Sequence, residues 1–152
     1  MGRSKVLKGG DDLGGKRKPI RKVHEGVIEY RNAQGELHNS TQPAYYNSKT
    51  GLTKWYLNGQ LHREDGPAII DKDGNQYWYL NGKKHRINGP AVILANGTRY
   101  WFQDDRLHRE DGPAIILQNG KMEFYCNGKR IKKLDVIDAK KSGVRSVIGL
   151  DD

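Results

Sequence analysis

Gly66-Pro67-Ala68-Ile69-Ile70-Asp71-Lys72-Asp73-Gly74-Asn75-Gln76-Tyr77-Trp78-Tyr79-Leu80-Asn81-Gly82-Lys83-Lys84-His85-Arg86-Ile87-Asn88 is one period of a repeat. It holds two strand signals and two turn signals. Pro67 to Ile70 reads as a strand opened by proline, which is tolerated at a first strand residue because a missing amide donor matters least there. Asp73-Gly74 is a turn signal, since both residue types accept positive φ. Gln76 to Leu80 is aromatic-rich and strand-prone, and Asn81-Gly82 closes it with a second hairpin signal.

Outward from this block the pattern recurs every 23 residues. Trp55-Tyr56-Leu57-Asn58-Gly59, Trp78-Tyr79-Leu80-Asn81-Gly82, Trp101-Phe102-Gln103-Asp104-Asp105 and Phe124-Tyr125-Cys126-Asn127-Gly128 begin at 55, 78, 101 and 124. A second signal keeps the same step: His62-Arg63-Glu64-Asp65-Gly66-Pro67-Ala68, His85 to Ala91 and His108 to Ala114. An eroded copy stands earlier, in Gly35-Glu36-Leu37-His38 and Pro43-Ala44, one residue out of step. Repetition at this period means a stacked array. Identical copies in identical surroundings need an even number of antiparallel strands each. The block therefore predicts one two-stranded hairpin per repeat and an all-β single antiparallel meander of four to five hairpins over residues 24–130. Equivalent residues then lie two strand spacings, roughly 9.6 Å, apart. The density of Asn-Gly and Asp-Gly pairs excludes long helices.

The Trp-Tyr-x-Asn-Gly and His-Arg-x-x-Gly-Pro-Ala signals together resemble a variant of the MORN-type hairpin repeat, over about residues 30–130. Gly59, Gly82 and Gly128 match the glycine that follows the aromatic pair; Asp105 departs from it. The resemblance implies contacts with proteins and membranes. It also points to repeat arrays of bacteriophages and large DNA viruses, hence to a virion-associated chain or one in the host cytoplasm.

The net charge of +9 is not spread evenly. Residues 1–23 carry +6 and residues 128–152 carry +3, which leaves 24–127 neutral. Residues 1–23 are Gly-rich and poor in apolar side chains, so they read as a flexible basic arm. Lys16, Arg17, Lys18, Arg21 and Lys22 are its candidates for holding an anionic surface or nucleic acid. Residues 131–152 read as a C-terminal cap and tail, with a short capping helix over 134–141. One cysteine, Cys126, allows no internal disulfide and fits a small, partly buried residue of a reducing compartment. No apolar run is long enough to span a membrane.

The candidate sites follow from the repeat. His62, His85 and His108 recur in register, and a zinc site needs ligands about 2.0–2.1 Å from one ion. Rows roughly 9.6 Å apart do not converge in that way. The expectation is no metal and no cofactor, with each histidine closing its loop on a backbone group and Arg63, Arg86 and Arg109 paired with nearby acids. Asp65, Asn88 and Asp111 before Gly-Pro read as turn residues bonded to their own backbone. Pro67, Pro90 and Pro113 open strands. Trp55, Trp78 and Trp101 read as the packing row of the sheet. Tyr56, Tyr79, Phe102 and Tyr125 alternate to the other face and are the candidate protein-binding row. A repeat supplies like residues in rows, not unlike residues at one point. The sequence thus predicts a non-enzymatic interaction or assembly protein with a protein partner. Nucleic-acid or ribonucleoprotein binding through the basic tails is the competing reading.

Overall fold

The computed structural model describes residues 5–7 and 18–132. Lys16, Arg17 and the expected cap helix at 134–141 lie outside them. The fold is the all-β antiparallel meander that the repeat predicts, and no helix occurs among the described residues. The chain divides into two compact units, Met1–Gly82 and Lys83–Asp152.

The first unit contains β1 (Lys5–Leu7), β2 (Ile20–His24), β3 (Val27–Arg31), β4 (Tyr45–Asn47), β5 (Thr53–Lys54), β6 (Tyr56–Leu57), β7 (Gln60–Leu61), β8 (Ile69–Ile70), β9 (Gln76–Tyr77) and β10 (Tyr79–Leu80). Its sheet runs β1-β2-β3-β4-β5-β8-β9, antiparallel throughout. β6 and β7 leave that sheet and pair with each other. The second unit contains β11 (Lys83–Lys84), β12 (Val92–Ile93), β13 (Arg99–Tyr100), β14 (Phe102–Gln103), β15 (Arg106–Leu107), β16 (Ile115–Ile116), β17 (Met122–Cys126) and β18 (Lys129–Ile131). Its sheet runs β12-β13-β16-β17-β18, with β14 and β15 as a separate ribbon.

Each repeat therefore holds two hairpins, not one. The chain makes a sheet hairpin, crosses a tryptophan, makes a two-residue ribbon, and returns through the His-Arg loop to the sheet. The tryptophan is the pivot because its two backbone groups serve different ladders. The Trp55 N–H donates to the Ala68 carbonyl in the sheet (2.8 Å), while the Trp55 carbonyl accepts from the His62 N–H on the ribbon side (3.1 Å). Trp101 does the same with Ala114 and His108, at 2.8 and 3.0 Å. In the eroded copy Tyr30 takes this place, between Ala44 and His38. The even-strand argument survives, since four short strands return the chain to its starting direction as two would.

The two turns of a repeat also differ. Asn58-Gly59 has φ of 47° and 75°, and Asn127-Gly128 has 49° and 82°. Both residues are left-handed, as a type I′ hairpin requires. At Asp73-Gly74 only Gly74 is left-handed (φ 83°). There the Gly74 N–H donates to the Asp71 carbonyl, and the Asp71 carboxylate accepts from the Asp73 and Asn75 amides. That is a longer loop built on a type I turn, so the expected paired positive φ at Asp73 is corrected.

β2 also corrects the expected arm. Residues 20–23 lie inside the 1–23 segment read as flexible, yet β2 pairs along its whole length with β3, from Ile20↔Arg31 to His24↔Val27. The missed signal was Glu25-Gly26. Both residues take positive φ, 47° and 87°, so the pair is a hairpin turn despite the glutamate.

The core is thin. The buried apolar residues among those described are Ala44, Ala68, Trp78, Ala91, Val92, Ala114 and Cys126, and no large side chain is fully buried. The four alanines, each the last residue of a Pro-Ala pair, are fully enclosed. Alanine is the residue there because the backbone on either side approaches closely. The Ala68 carbonyl takes the Trp55 N–H and the Ala68 N–H reaches the Tyr77 carbonyl, both at 2.8 Å.

Candidate functional site

The conspicuous residues of the repeat meet in the His-Arg loop. His62 follows β7 directly, so its ring stands at the ribbon's end, beside the turn of the next ribbon. Its Nδ1 accepts from the Asn81 N–H at 3.2 Å. His38 accepts likewise from Asn58 (3.1 Å), His85 from Asp104 (3.4 Å) and His108 from Asn127 (3.1 Å). The same Nδ1 lies 2.9 Å from the Asn81 Oδ1 in His62 and 3.1 Å from the Asp104 Oδ1 in His85, to which a protonated Nδ1 donates, so the direction of these bonds follows the ring tautomer. Two further backbone bonds accompany each histidine. The amide of the residue after it reaches the carbonyl of the next aromatic: Asn39 to Tyr56, Arg63 to Tyr79, Arg86 to Phe102 and Arg109 to Tyr125, at 2.9–3.2 Å. The second turn residue donates back to the carbonyl before the histidine, as in Gly59 to Leu37 and Gly128 to Leu107.

The arginine is clamped from three sides. The Arg63 guanidinium lies over the Trp55 ring, 4.1 Å from its centroid, and its Nε donates to Asp65 at 2.8 Å. Its Nη1 donates to the Pro67 carbonyl at 3.4 Å. Arg109 repeats this with Trp101 (4.2 Å), Asp111 (2.7 Å) and Pro113 (3.3 Å), and Arg86 donates to the Pro90 carbonyl at 3.1 Å. The far side of the clamp is Gly66, where a methyl group would stand 2.8 Å from the Arg63 Cζ. Gly112 stands in the same relation to Arg109, at 3.0 Å. The loop glycine is thus set by the guanidinium lying across its Cα. Asp65 serves the arginine first, and its own backbone amide only as a lesser contact, where the sequence reading gave it to the turn alone. The hydrogen bond and charge of Arg63 hold the Asp65 carboxyl below the usual carboxylate range.

Sequence reasoning missed the tryptophan–arginine stack. Its signal was present: the step from Trp to Arg is eight residues in each copy, at 55 and 63, 78 and 86, 101 and 109.

The two aromatic rows do not divide into one buried and one exposed set. Tyr56, Tyr79, Phe102 and Tyr125 are each half-buried, as are Trp55 and Trp101; Trp78 is buried. Adjacent residues here belong to different ladders, so strict alternation across one sheet does not apply. Of the basic candidates, Lys18 and Lys22 are exposed and Arg21 is half-buried within β2. Cys126 is buried, with Sγ 3.8 Å from the His108 Nδ1. Burial first, and the Glu110 charge second, push its thiol pKa up.

Each unit holds a groove between two successive histidine loops. In the first unit a groove of about 450 Å³ runs between Asn39–Thr41 and His62–Asp65, with Trp55 and Leu57 alongside. In the second unit one of about 550 Å³ runs between Arg86–Gly89 and His108–Asp111, with Trp101 and Gln103 alongside. A third, of about 600 Å³, is lined by Met122, Phe124, Arg130, Ile131 and Lys132 at the β17–β18 hairpin. Among the described residues no three His, Cys, Asp or Glu side chains group as a metal site would require, and no helix is long and apolar enough to cross a membrane. No protein-family model matches the chain, and no curated protein matches it.

Proposed function

We propose that the chain is a non-enzymatic repeat protein that binds other proteins, as an assembly or host-contact component, with its basic N-terminal residues reaching an anionic partner. The observation that carries this reading is the internal commitment of the repeat's reactive-looking residues. Each histidine Nδ1 is bonded to the following turn, through its backbone amide or, for His62 and His85, the side-chain oxygen of the same residue. Arg63 and Arg109 are held by their own loop and a tryptophan face. A general base or nucleophile needs a free, positioned lone pair, and here the recurring lone pairs hold the array together. What the repeat offers to a partner is surface: a groove of several hundred Å³ between two successive loops in each unit. The resemblance to MORN-type arrays supports the same reading.

The test is capture of partners by full-length chain at low and high salt. Contact through the neutral array holds as salt rises, whereas phosphate contact through the basic termini falls steeply. Retention of the same proteins at about 0.5 M salt is the expected result. Loss of all bound material over that range, with recovery of nucleic acid in the low-salt fraction, would overturn it.

A further inference from the structure

We propose that the groove between Arg86–Gly89 and His108–Asp111 seats an extended peptide of a partner protein in which apolar and basic side chains alternate. The inference rests on the reading of the chain as a protein-binding array. It begins at Ile87, which is 74% exposed, more than any other large apolar side chain among the described residues. The equivalent positions of the flanking copies are Glu64 and Glu110. Each of those carboxylates lies near the Nε2 of its own loop's histidine, at 3.6 and 3.7 Å. Isoleucine forgoes that contact and gains no burial in return. The same loop forms with glutamate in the other copies, so the fold does not ask for isoleucine. In an array the shared residues carry architecture, and an exposed departure from them is free to carry recognition.

The groove's charges single out the ligand. Arg109 is turned into its own loop, on Asp111 at 2.7 Å and on the Trp101 face. Arg86 is turned likewise, with Nη1 on the Pro90 carbonyl and Cζ across Gly89. The Glu110 carboxylate is about half exposed, stands 3.7 Å from the His108 Nε2, and belongs to the loop across the groove from the one that carries Ile87. An extended strand sends successive side chains to opposite sides. A peptide lying along this groove therefore gives every second residue to Ile87 and Trp101, and the residues between to Glu110. Apolar side chains suit the first set, and Lys or Arg the second. The groove in the first unit has Ser40 in the place of Ile87 and Leu57 in the place of Gln103, so its apolar contact stands at a different point of the groove and serves as an internal control for the position of Ile87.

The experiment titrates full-length chain, at about 0.15 M salt to suppress diffuse attraction, with acetyl-Lys-Val-Lys-Val-Lys-Val-Lys-amide and with its Glu-Val and Lys-Ser counterparts. Saturable binding of the Lys-Val peptide alone is expected. Ile87→Ser, which installs the residue of the first copy, should weaken it about tenfold, the effect of uncovering one isoleucine. Glu110→Gln should weaken it severalfold, and Glu64→Gln should leave it unchanged. Equal binding of the Lys-Ser peptide, or full affinity in Ile87→Ser, would overturn the seat. So would equal losses in Glu64→Gln and Glu110→Gln. If Ile87→Ser captures the same partner proteins as the parent chain, the seat falls and the protein-binding reading stands. If the parent chain captures no protein, that reading falls by itself, and binding of the peptide does not restore it.

Discussion

At the scale of single residues, one glycine and one arginine are predicted to act as a unit. A methyl group on Gly66 would meet the Arg63 Cζ at 2.8 Å and lift the guanidinium off Trp55. Gly66→Ala should cost about 1–2 kcal/mol, the combined scale of a cation–π contact and a hydrogen bond. In an Arg63→Ala background the same change should be neutral within about 0.5 kcal/mol. A double-mutant cycle by urea unfolding measures this, and additive losses would show that the glycine serves its backbone instead. A second prediction concerns Cys126. Its raised pKa means less thiolate at any given pH, so the thiol should react with iodoacetamide at least about tenfold more slowly in folded than in unfolded chain at pH 8. Glu110→Gln removes the lesser cause and should speed the reaction slightly. Equal folded and unfolded rates would place the thiol at the surface. The acid partner of the arginine was legible in the sequence, while its tryptophan was missed although a constant eight-residue offset links the two. The histidine's partner was not legible, because it stands 19 or 20 residues away in the next turn, and periodicity alone does not say which copy a residue serves.

At the scale of elements, the N-terminal boundary yields a prediction that the sequence alone had reversed. A flexible arm at 1–23 could be removed without cost to the array, yet deleting those residues removes nearly all of β2 and exposes β3 along its length. The deletion of 1–23 should therefore lower the melting temperature by several degrees, on the scale of 1 kcal/mol or more. Deleting 1–17 retains all of β2 and should cost less. Identical melting of the two truncated chains would show that β2 contributes nothing to stability. The hairpin turns and the antiparallel order could be read from Asn-Gly, Asp-Gly and the 23-residue step. The switch at tryptophan could not. A strand pattern records which residues favour extended backbone, and Gln76 to Leu80 does so throughout; it does not record that a residue's N–H and C=O serve different ladders.

At the scale of the whole molecule, the scarcity of buried apolar side chains sets the thermodynamics. The core residues among those described are mostly alanines, so backbone bonding carries an unusual share of the structure. Heat capacity of unfolding tracks exposed apolar area and averages about 12–15 cal/mol/K per residue. This protein should fall below that range by differential scanning calorimetry. A value within or above it would mean that apolar surface is covered elsewhere, for instance by self-association, which a concentration series detects.

The histidine bonds also have a direction. His38, His62, His85 and His108 each wait for an amide that lies later in the chain: Asn58, Asn81, Asp104 and Asn127. During synthesis the earlier block leaves the ribosome before the turn that its histidine bonds has been made. A block therefore completes its histidine contact only after its successor has emerged. A gene that duplicates a 23-residue unit inherits the same rule, because the new copy meets a waiting acceptor behind it and offers one ahead.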